Sequence, residues 1–246
     1  MLTRQEFESL RSNKIEEMHN NNELQQDAIN LLSKADEHYW IHLTNFMGEP
    51  ALQLPQDMFA MAEIIWKIKP EIIVELGSCW CGTTLFLTSV LNACNPDGHI
   101  FGIDIYQPKD LKRRITDILL SNSLSHCHLI ESSSLNKELV PIIENLTLHT
   151  LGKTRILIIM DSNHTEDHVT QELNFWSPVV PPQSYIVVCD TIIEQMPPQN
   201  RKREWGIGNN PATALDKFMK LHGDFEIDTE LQNKLLLSCN TYVRRN

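Results

Sequence analysis

The chain has 246 residues, with 21 Lys and Arg against 32 Asp and Glu, for a net charge of −11. A chain this long buries a full core without staples, and 41% hydrophobic with 22% charged residues is a globular rather than a disordered composition. The acid excess argues against nucleic-acid binding, which needs a cationic face, and a count of nine glycines excludes collagenous and Gly-rich architectures.

No apolar run approaches the roughly 18 residues of a membrane span. The N-terminus has no apolar signal core, so a cytoplasmic protein without a transmembrane segment is expected. Cys79, Cys81, Cys94, Cys127, Cys189 and Cys239 form no CxxC pair and are expected as unpaired thiols.

In chain order, residues 1–38 are polar, weakly periodic and read as solvated helix. Aromatics cluster over 39–50, and Pro50 and Pro55 bracket an extended stretch. Residues 1–56 are expected to form a helical and extended appendage to a domain over 57–246. Asp57 is expected to cap a helix reaching about Lys69, with Phe59, Ala62, Ile65 and Trp66 on one face. From Glu71 the pattern changes. Strands over 71–76, 99–105, 126–131, 155–161 and 184–191 alternate with helices over 82–93, 109–121, 136–148 and 165–177. A helix over 211–222 follows, and FEID (225–228) and KLLLSCN (234–240) are expected closing strands. Strands apolar along their whole length fit a parallel sheet covered on both faces. The alternation makes the fold α/β and doubly wound.

Ligands of such sheets bind beyond the carboxyl ends of the strands. The first strand runs into Glu75-Leu76-Gly77-Ser78 and reaches Gly82, an acidic-x-Gly-x4-Gly pattern. That loop suits an amino-acid carboxylate or a ribose rather than a pyrophosphate, or is a plain strand-to-helix turn. The second strand ends in Gly102-Ile103-Asp104, whose carboxylate can accept from both ribose hydroxyls or cap a helix. The hydroxyls of Ser132, Ser133 and Ser134 suit an adenine contact or a helix cap.

The segment from Asp161 to His168 is the densest polar cluster. Asp161 is carried to the sheet edge by the apolar strand before it. His164 and His168 share a face if the helix starts by His164, as metal-binding or acid/base pairs do. Alternatively Asn163 or Thr165 caps the helix and the histidines are surface groups. Asp190, ending the fifth strand, is brought near Asp161. Two adjacent carboxylates are costly unless a proton or a cation relieves them, and a divalent ion with oxygen ligands answers that. Gly206 and Gly208 mark a loop shaped near the site or an exposed turn. Arg201, Lys202 and Arg203 close over the site or form a solvated basic loop.

The segments YWIHLTNFMGEPALQLPQD, KPEIIVELG, MDSNHTEDHV, VVCDTIIEQMP, WGIGNNPATAL and FEID resemble the cephalosporin-hydroxylase/rhamnosyl O-methyltransferase family over roughly residues 37–246. The resemblance implies a Rossmann-like class I methyltransferase fold, an S-adenosylmethionine cofactor, Mg2+ and a homo-oligomer. By position, it implies that Glu75, Gly77 and Ser78 line the cofactor site, with Asp161 beside them. Asp104 holds the ribose and Ser133 lies near the adenine. Asp161 and Asp190 are the implied metal ligands. Cys189 stands where some relatives carry an acidic residue, and Cys79-Trp80-Cys81 departs from the family's usual glycine loop.

The expected reaction is O-methylation of a hydroxyl on a sugar, glycolipid or small natural product. Asp161, His164 and, as a backup, His168 are the expected catalytic residues, His164 as a base or in the metal shell. Cys189 and the altered loop motivate an alternative, a non-catalytic S-adenosylmethionine-binding module. The histidine pair motivates another, an iron-dependent hydroxylase. A nicotinamide dehydrogenase ranks lower because GxGxxG is missing.

Overall fold

The structure, a computed structural model, describes residues 2–124, 126–198 and 202–246. Two helices open the chain, α1 (Arg4–His19) and α2 (Asn22–Asp36), followed by the short strands β1 (Asn45–Phe46) and β2 (Glu49–Pro50) and by α3 (Pro55–Ile68). An alternating run follows: β3 (Ile72–Leu76), α4 (Gly82–Cys94), β4 (His99–Asp104), α5 (Lys109–Ser121), β5 (Cys127–Glu131) and α6 (Leu139–Thr147). It continues through β6 (Ile156–Met160), α7 (Glu166–Trp176), β7 (Tyr185–Val188) and α8 (Pro211–Leu221). The chain closes with β8 (Phe225–Ile227), α9 (Thr229–Gln232) and β9 (Thr241–Arg245).

A seven-stranded sheet has the order β5-β4-β3-β6-β7-β9-β8. Strands β3 to β7 are parallel, and β9 runs antiparallel to both β7 and β8. This is the expected doubly wound, mostly parallel sheet. The winding reverses between β3 and β6, which opens a crevice at their carboxyl ends. Leu76 pairs with Met160, and Met160 with Val188. The residues just past these strands are therefore neighbours by register.

Both faces of the sheet are covered. On one, Leu139 and Ile143 of α6, Leu173 and Trp176 of α7 and Phe218 of α8 pack on Val74, Phe101 and Ile158. On the other, Met61, Ile64 and Ile65 of α3 and Leu87 and Leu91 of α4 pack on Ile73, Ile159 and Tyr242. Each fully buried Ile or Leu contributes about 1.5–3 kcal/mol over leaving it exposed. All six cysteines are free, and among the described residues no helix is long and apolar enough to cross a membrane.

Three details differ from expectation. Helix α3 begins at Pro55, because a proline ring fits the first turn of a helix, so Asp57 lies inside the helix and is buried rather than capping it. Its inward face is Met58, Met61, Ile64, Ile65 and Ile68, while Phe59 is 75% and Trp66 64% exposed. Apolar residues stand on both sides of this helix, and periodicity alone does not say which side meets the sheet. Residues 234–240 form an irregular connection and not a strand. Their backbone is held by side chains instead: Asp57 accepts from the Cys239 N–H at 2.9 Å and from the Ser238 hydroxyl. The closing strand is the more polar TYVRR that follows, with Tyr242 and Val243 buried.

The segment before α3 packs on the sheet domain. Leu32 of α2 joins Leu54, Ile192, Met196 and Cys239, and Phe46 meets Phe86 of α4 edge-on at 5.4 Å. A Cβ on Gly82 would lie 2.2 Å from the carbonyl oxygen of Pro50, so β2 sits directly over the start of α4.

Candidate functional site

A cavity of about 300 Å³ opens at the crevice, lined by Glu75, Gly77, Ser78, Asp104, Asp161, His164 and Asp190. A smaller one of about 130 Å³ shares Gly77, Asp104 and Ser162 with it and adds Ser133, Ser134 and His168.

The turn from β3 to α4 forms their common wall. Gly77 has φ +90°, and a Cβ there would lie 2.1 Å from the backbone oxygen of Asp161. Only glycine permits that approach and that conformation. Ser78 is buried and its hydroxyl accepts from Gln107 Nε2 at 3.1 Å. Cys79 and Cys81 are left-handed without being glycine, with φ 44° and 65°. This conformation costs energy and turns the Cys79 N–H onto Asp104 Oδ2 at 2.9 Å. Asp104 Oδ1 accepts from the Tyr106 N–H at 3.1 Å. The carboxylate is thereby fixed, and each oxygen keeps a lone pair for a ligand hydroxyl.

Glu75 is only 2% exposed and accepts from the Thr84 hydroxyl. Burial, assisted by Asp104, pushes its carboxyl up to about 7.

Asp161, His164 and Asp190 converge, each offering a ligand atom within 4.8 Å of the others. His164 Nε2 is 3.5 Å from Asp190 Oδ2, and its ring stands edge-on to Trp205 at 5.0 Å. Asp190 occupies a left-handed turn with φ 56°. Burial, then Asp190 and Glu75, hold the Asp161 carboxyl well above the ordinary range, against the N–H of Gln53 at 2.9 Å. This donor set fits a divalent cation: two carboxylates and an imidazole, all half-buried, at mutual distances a small ion can bridge, with carboxylates whose mutual repulsion needs relief.

Cys189 is buried on the α3 side of the sheet, where its Sγ accepts from Gln53 Nε2 at 3.7 Å, and burial, then Asp161 and Asp190, raises the thiol well above the ordinary range.

His168 is placed apart from the carboxylates. Asn163 Oδ1 accepts from the Thr165 N–H at 2.9 Å, forming a turn, and α7 starts only at Glu166. His164 therefore precedes the helix, so the condition for sharing a helical face with His168 is not met. His168 Nε2 lies 3.1 Å from the hydroxyls of Ser134 and Ser162 and 3.2 Å from Glu172 Oε1. Its hydrogen bond to buried Glu172 raises its pKa. Ser133 lines the same cavity and also accepts from the Leu135 N–H at 3.3 Å, so it both faces the cavity and stabilises the turn.

The Gly206–Asn210 loop is a structured part of this rim. Asn209 Oδ1 accepts from the first N–H of α7 at 2.9 Å, and Asn210 caps α8 in a reciprocal box. Arg203 lines the larger cavity, with its guanidinium 5.7 Å from the ring centre of Trp205. Arg201 lies outside the described residues.

Sequence reasoning missed several residues of the site. His42 and Trp80 line the larger cavity. Gln53 and Asn240, 187 residues apart, stand behind Asp161 and Asp190, and no local pattern marks either one.

The chain matches the sequence model of the Rhamnosyl O-methyltransferase/CmcI family over residues 37–246. It is 28% identical over 193 residues to a rhamnosyl O-methyltransferase of Mycobacterium leprae, covering 78% of this chain and 77% of that protein. A structure of CmcI with Mg-SAM superposes with a TM-score of 0.53 at 13% identity, over 83% of this chain and 77% of that one. The apo structure of CalS11, a TDP-rhamnose 3′-O-methyltransferase of calicheamicin biosynthesis, gives a TM-score of 0.52 at 14% identity over 99% and 96%. These likenesses show the Rossmann-like class I methyltransferase fold, and the match over most of the length settles the family: the chain belongs to the Rhamnosyl O-methyltransferase/CmcI family.

Proposed function

We propose that the protein transfers the methyl group of S-adenosylmethionine to a hydroxyl of a sugar or of a sugar-bearing natural product. The observation that carries this reading is the convergence of Asp161, His164 and Asp190 beside the Gly77 turn and the fixed carboxylate of Asp104. Asp104 receives the ribose hydroxyls, Glu75 the ammonium of the methionine moiety, and Ser133 with Ser134 walls the adenine. His168 belongs to that adenine wall. The acceptor enters past His42, Trp80 and Trp205, whose flat faces suit the C–H faces of a sugar ring.

Asp161 and Asp190 would hold Mg2+, with His164 beside them. Such an ion supplies Lewis acidity that lowers the pKa of an acceptor hydroxyl. The chain's own residues supply the remainder. His164 turns Nε2 toward Asp190, which leaves Nδ1 to take the hydroxyl proton, and Asp190 steadies the imidazolium. The freed oxygen forms its bond to the methyl carbon as the carbon–sulfur bond breaks, and that electron pair returns to sulfur as S-adenosylhomocysteine. The turn and Asp104 hold the donor in line.

Two features weigh against the iron-hydroxylase alternative. A facial triad needs two histidines and one carboxylate, whereas the cluster has one histidine and two carboxylates, with His168 held elsewhere. The test is transfer of labelled methyl to a panel of rhamnosides and nucleotide-linked sugars. Asp161→Asn should lower turnover by about 100-fold or more while S-adenosylmethionine binding stays measurable. Full turnover in that variant refutes the assignment, and binding without transfer to any acceptor favours a binding module. We also propose a homo-oligomer, supported by Phe7 and Leu10 standing exposed on α1; a monomeric mass in solution refutes it.

A further inference from the structure

Two buried amides connect the Asp161 carboxylate to the backbone of Asp190. Asn240 lies just before β9 and is 1% exposed, and Gln53 lies just before α3 and is 4% exposed. Asn240 Oδ1 accepts from the backbone N–H of Asp190 at 3.3 Å. Asn240 Nδ2 donates to Gln53 Oε1 at 2.9 Å, and Gln53 Nε2 donates to Asp161 Oδ2 at 2.9 Å.

We propose that Asn240 and Gln53 are positioning residues that set the orientation and separation of Asp161 and Asp190. The inference rests on the reading of those carboxylates as the reactive centre.

The direction of each amide is forced. The oxygen of Asn240 is committed to an N–H, so its nitrogen faces Gln53. Gln53 must then present its oxygen to Asn240 and its nitrogen to Asp161. Reversing either amide sets oxygen against oxygen in a buried site, where such a contact is not relieved by water. One end of the relay fixes Asp161 Oδ2 and leaves Oδ1 for a ligand. The other end holds the left-handed turn that aims Asp190 at His164. The relay is anchored behind. Asn240 N donates to Ser238 Oγ at 3.1 Å, Gln232 Nε2 donates to the Asn240 carbonyl at 3.2 Å, and Ser238 donates to buried Asp57. A network serving only the fold has no reason to end on both carboxylate residues. Hydrogen bonds behind a metal's ligands govern its affinity, by about 10- to 100-fold per partner.

The test uses the full chain and three variants, Gln53→Leu, Asn240→Asp and the double substitution. Asn240→Asp keeps the acceptor for Asp190 but loses the donor to Gln53, so it should reverse the Gln53 amide. Mn2+ binding is read by electron paramagnetic resonance and S-adenosylhomocysteine binding by calorimetry. Each single variant should weaken Mn2+ by about tenfold or more. The double should be no weaker than Gln53→Leu, because members of one chain are not additive. S-adenosylhomocysteine affinity should stay within about threefold, since its proposed contacts at Glu75 and Asp104 lie outside the relay. Mn2+ binding unchanged in Gln53→Leu overturns the proposal, as does an additive double variant. If the wild type binds no Mn2+, the metal reading fails separately. A crystal structure of Gln53→Leu with S-adenosylhomocysteine then decides the relay: a reoriented Asp161 carboxylate supports it, and unmoved Asp161 and Asp190 overturn it.

Discussion

Glu75→Gln should act in opposite directions on stability and on cofactor binding. The Glu75 carboxyl ionises at about 7 in the folded protein against an ordinary value of 4.5, chiefly because it is buried. The unfolded chain therefore loses its proton first as pH rises, and stability falls between about pH 4.5 and pH 7. At about 1.4 kcal/mol per unit, the cost above pH 7 is about 3 kcal/mol. Glutamine has the same shape, still accepts from Thr84 and carries no charge. The ligand-free variant should be more stable than wild type by up to that amount at pH 8 and gain little at pH 4.5. Cofactor binding should respond inversely, because the proposed partner of Glu75 is an ammonium. The ionised fraction rises from about one-tenth at pH 6 to about three-quarters at pH 7.5, so wild-type affinity should rise about eightfold over a range in which the ligand's amino group stays largely protonated. The variant should lose about 1.5–3 kcal/mol of affinity, a charge-assisted hydrogen bond, and show a flat profile. Denaturant melts and calorimetry with S-adenosylmethionine at pH 6 and 7.5 measure both effects. A flat wild-type profile, or wild-type affinity in Glu75→Gln, refutes the reasoning.

Gly82→Ala forces a methyl to within 2.2 Å of the Pro50 carbonyl, so the β1–β2 segment must move; a loss of about 2–4 kcal/mol in a urea melt is expected, and an unchanged midpoint refutes the contact. Asp57 ionises at about 6, raised by burial from 3.8 against hydrogen bonds from Ser238, Cys239 and Tyr242. It therefore favours folding at low pH and withdraws about 3 kcal/mol as pH rises from about 4 through 6. The stability of Asp57→Asn relative to wild type should rise by a comparable amount from pH 4 to pH 7.5, and a pH-independent difference in paired denaturant melts refutes that.

The alternating strands and helices of β3 to β7 were legible because each parallel strand is apolar along its length and each helix carries one apolar face. β9 was not, since Thr241, Arg244 and Arg245 dilute its signal, while the apolar run 235–237 before it fills gaps beside α2 and α3 without entering a ladder. At the site, residues ending strands were legible, because a strand that stops delivers its next residue to the sheet edge. Asp104, Asp161 and Asp190 all sit there. The separation of His164 from His168 was not legible. It turns on whether Asn163 closes a turn before the helix, and a spacing of four fits either outcome. Gln53 and Asn240 are 187 residues apart and meet only because β9 inserts between β7 and β8. No local signal encodes that meeting.

The acid excess of the chain takes on a specific meaning at the crevice. Glu75, Asp104, Asp161 and Asp190 line one cavity, and among the described residues Arg203 is the single Lys or Arg lining it. Burial has already raised Glu75 and Asp161, so ionising both of these carboxylates together is electrostatically costly. Protonation of Glu75, at about 7, relieves only part of that cost at neutral pH. The positively charged groups proposed for this site would relieve it: an ammonium at Glu75, a sulfonium between Glu75 and Asp161, and a divalent ion held by Asp161 and Asp190. On the proposed function the same imbalance would disfavour the product, since S-adenosylhomocysteine has lost the sulfonium charge. Its binding should be weaker than that of the donor wherever Asp161 is ionised, and that difference would drive release after transfer.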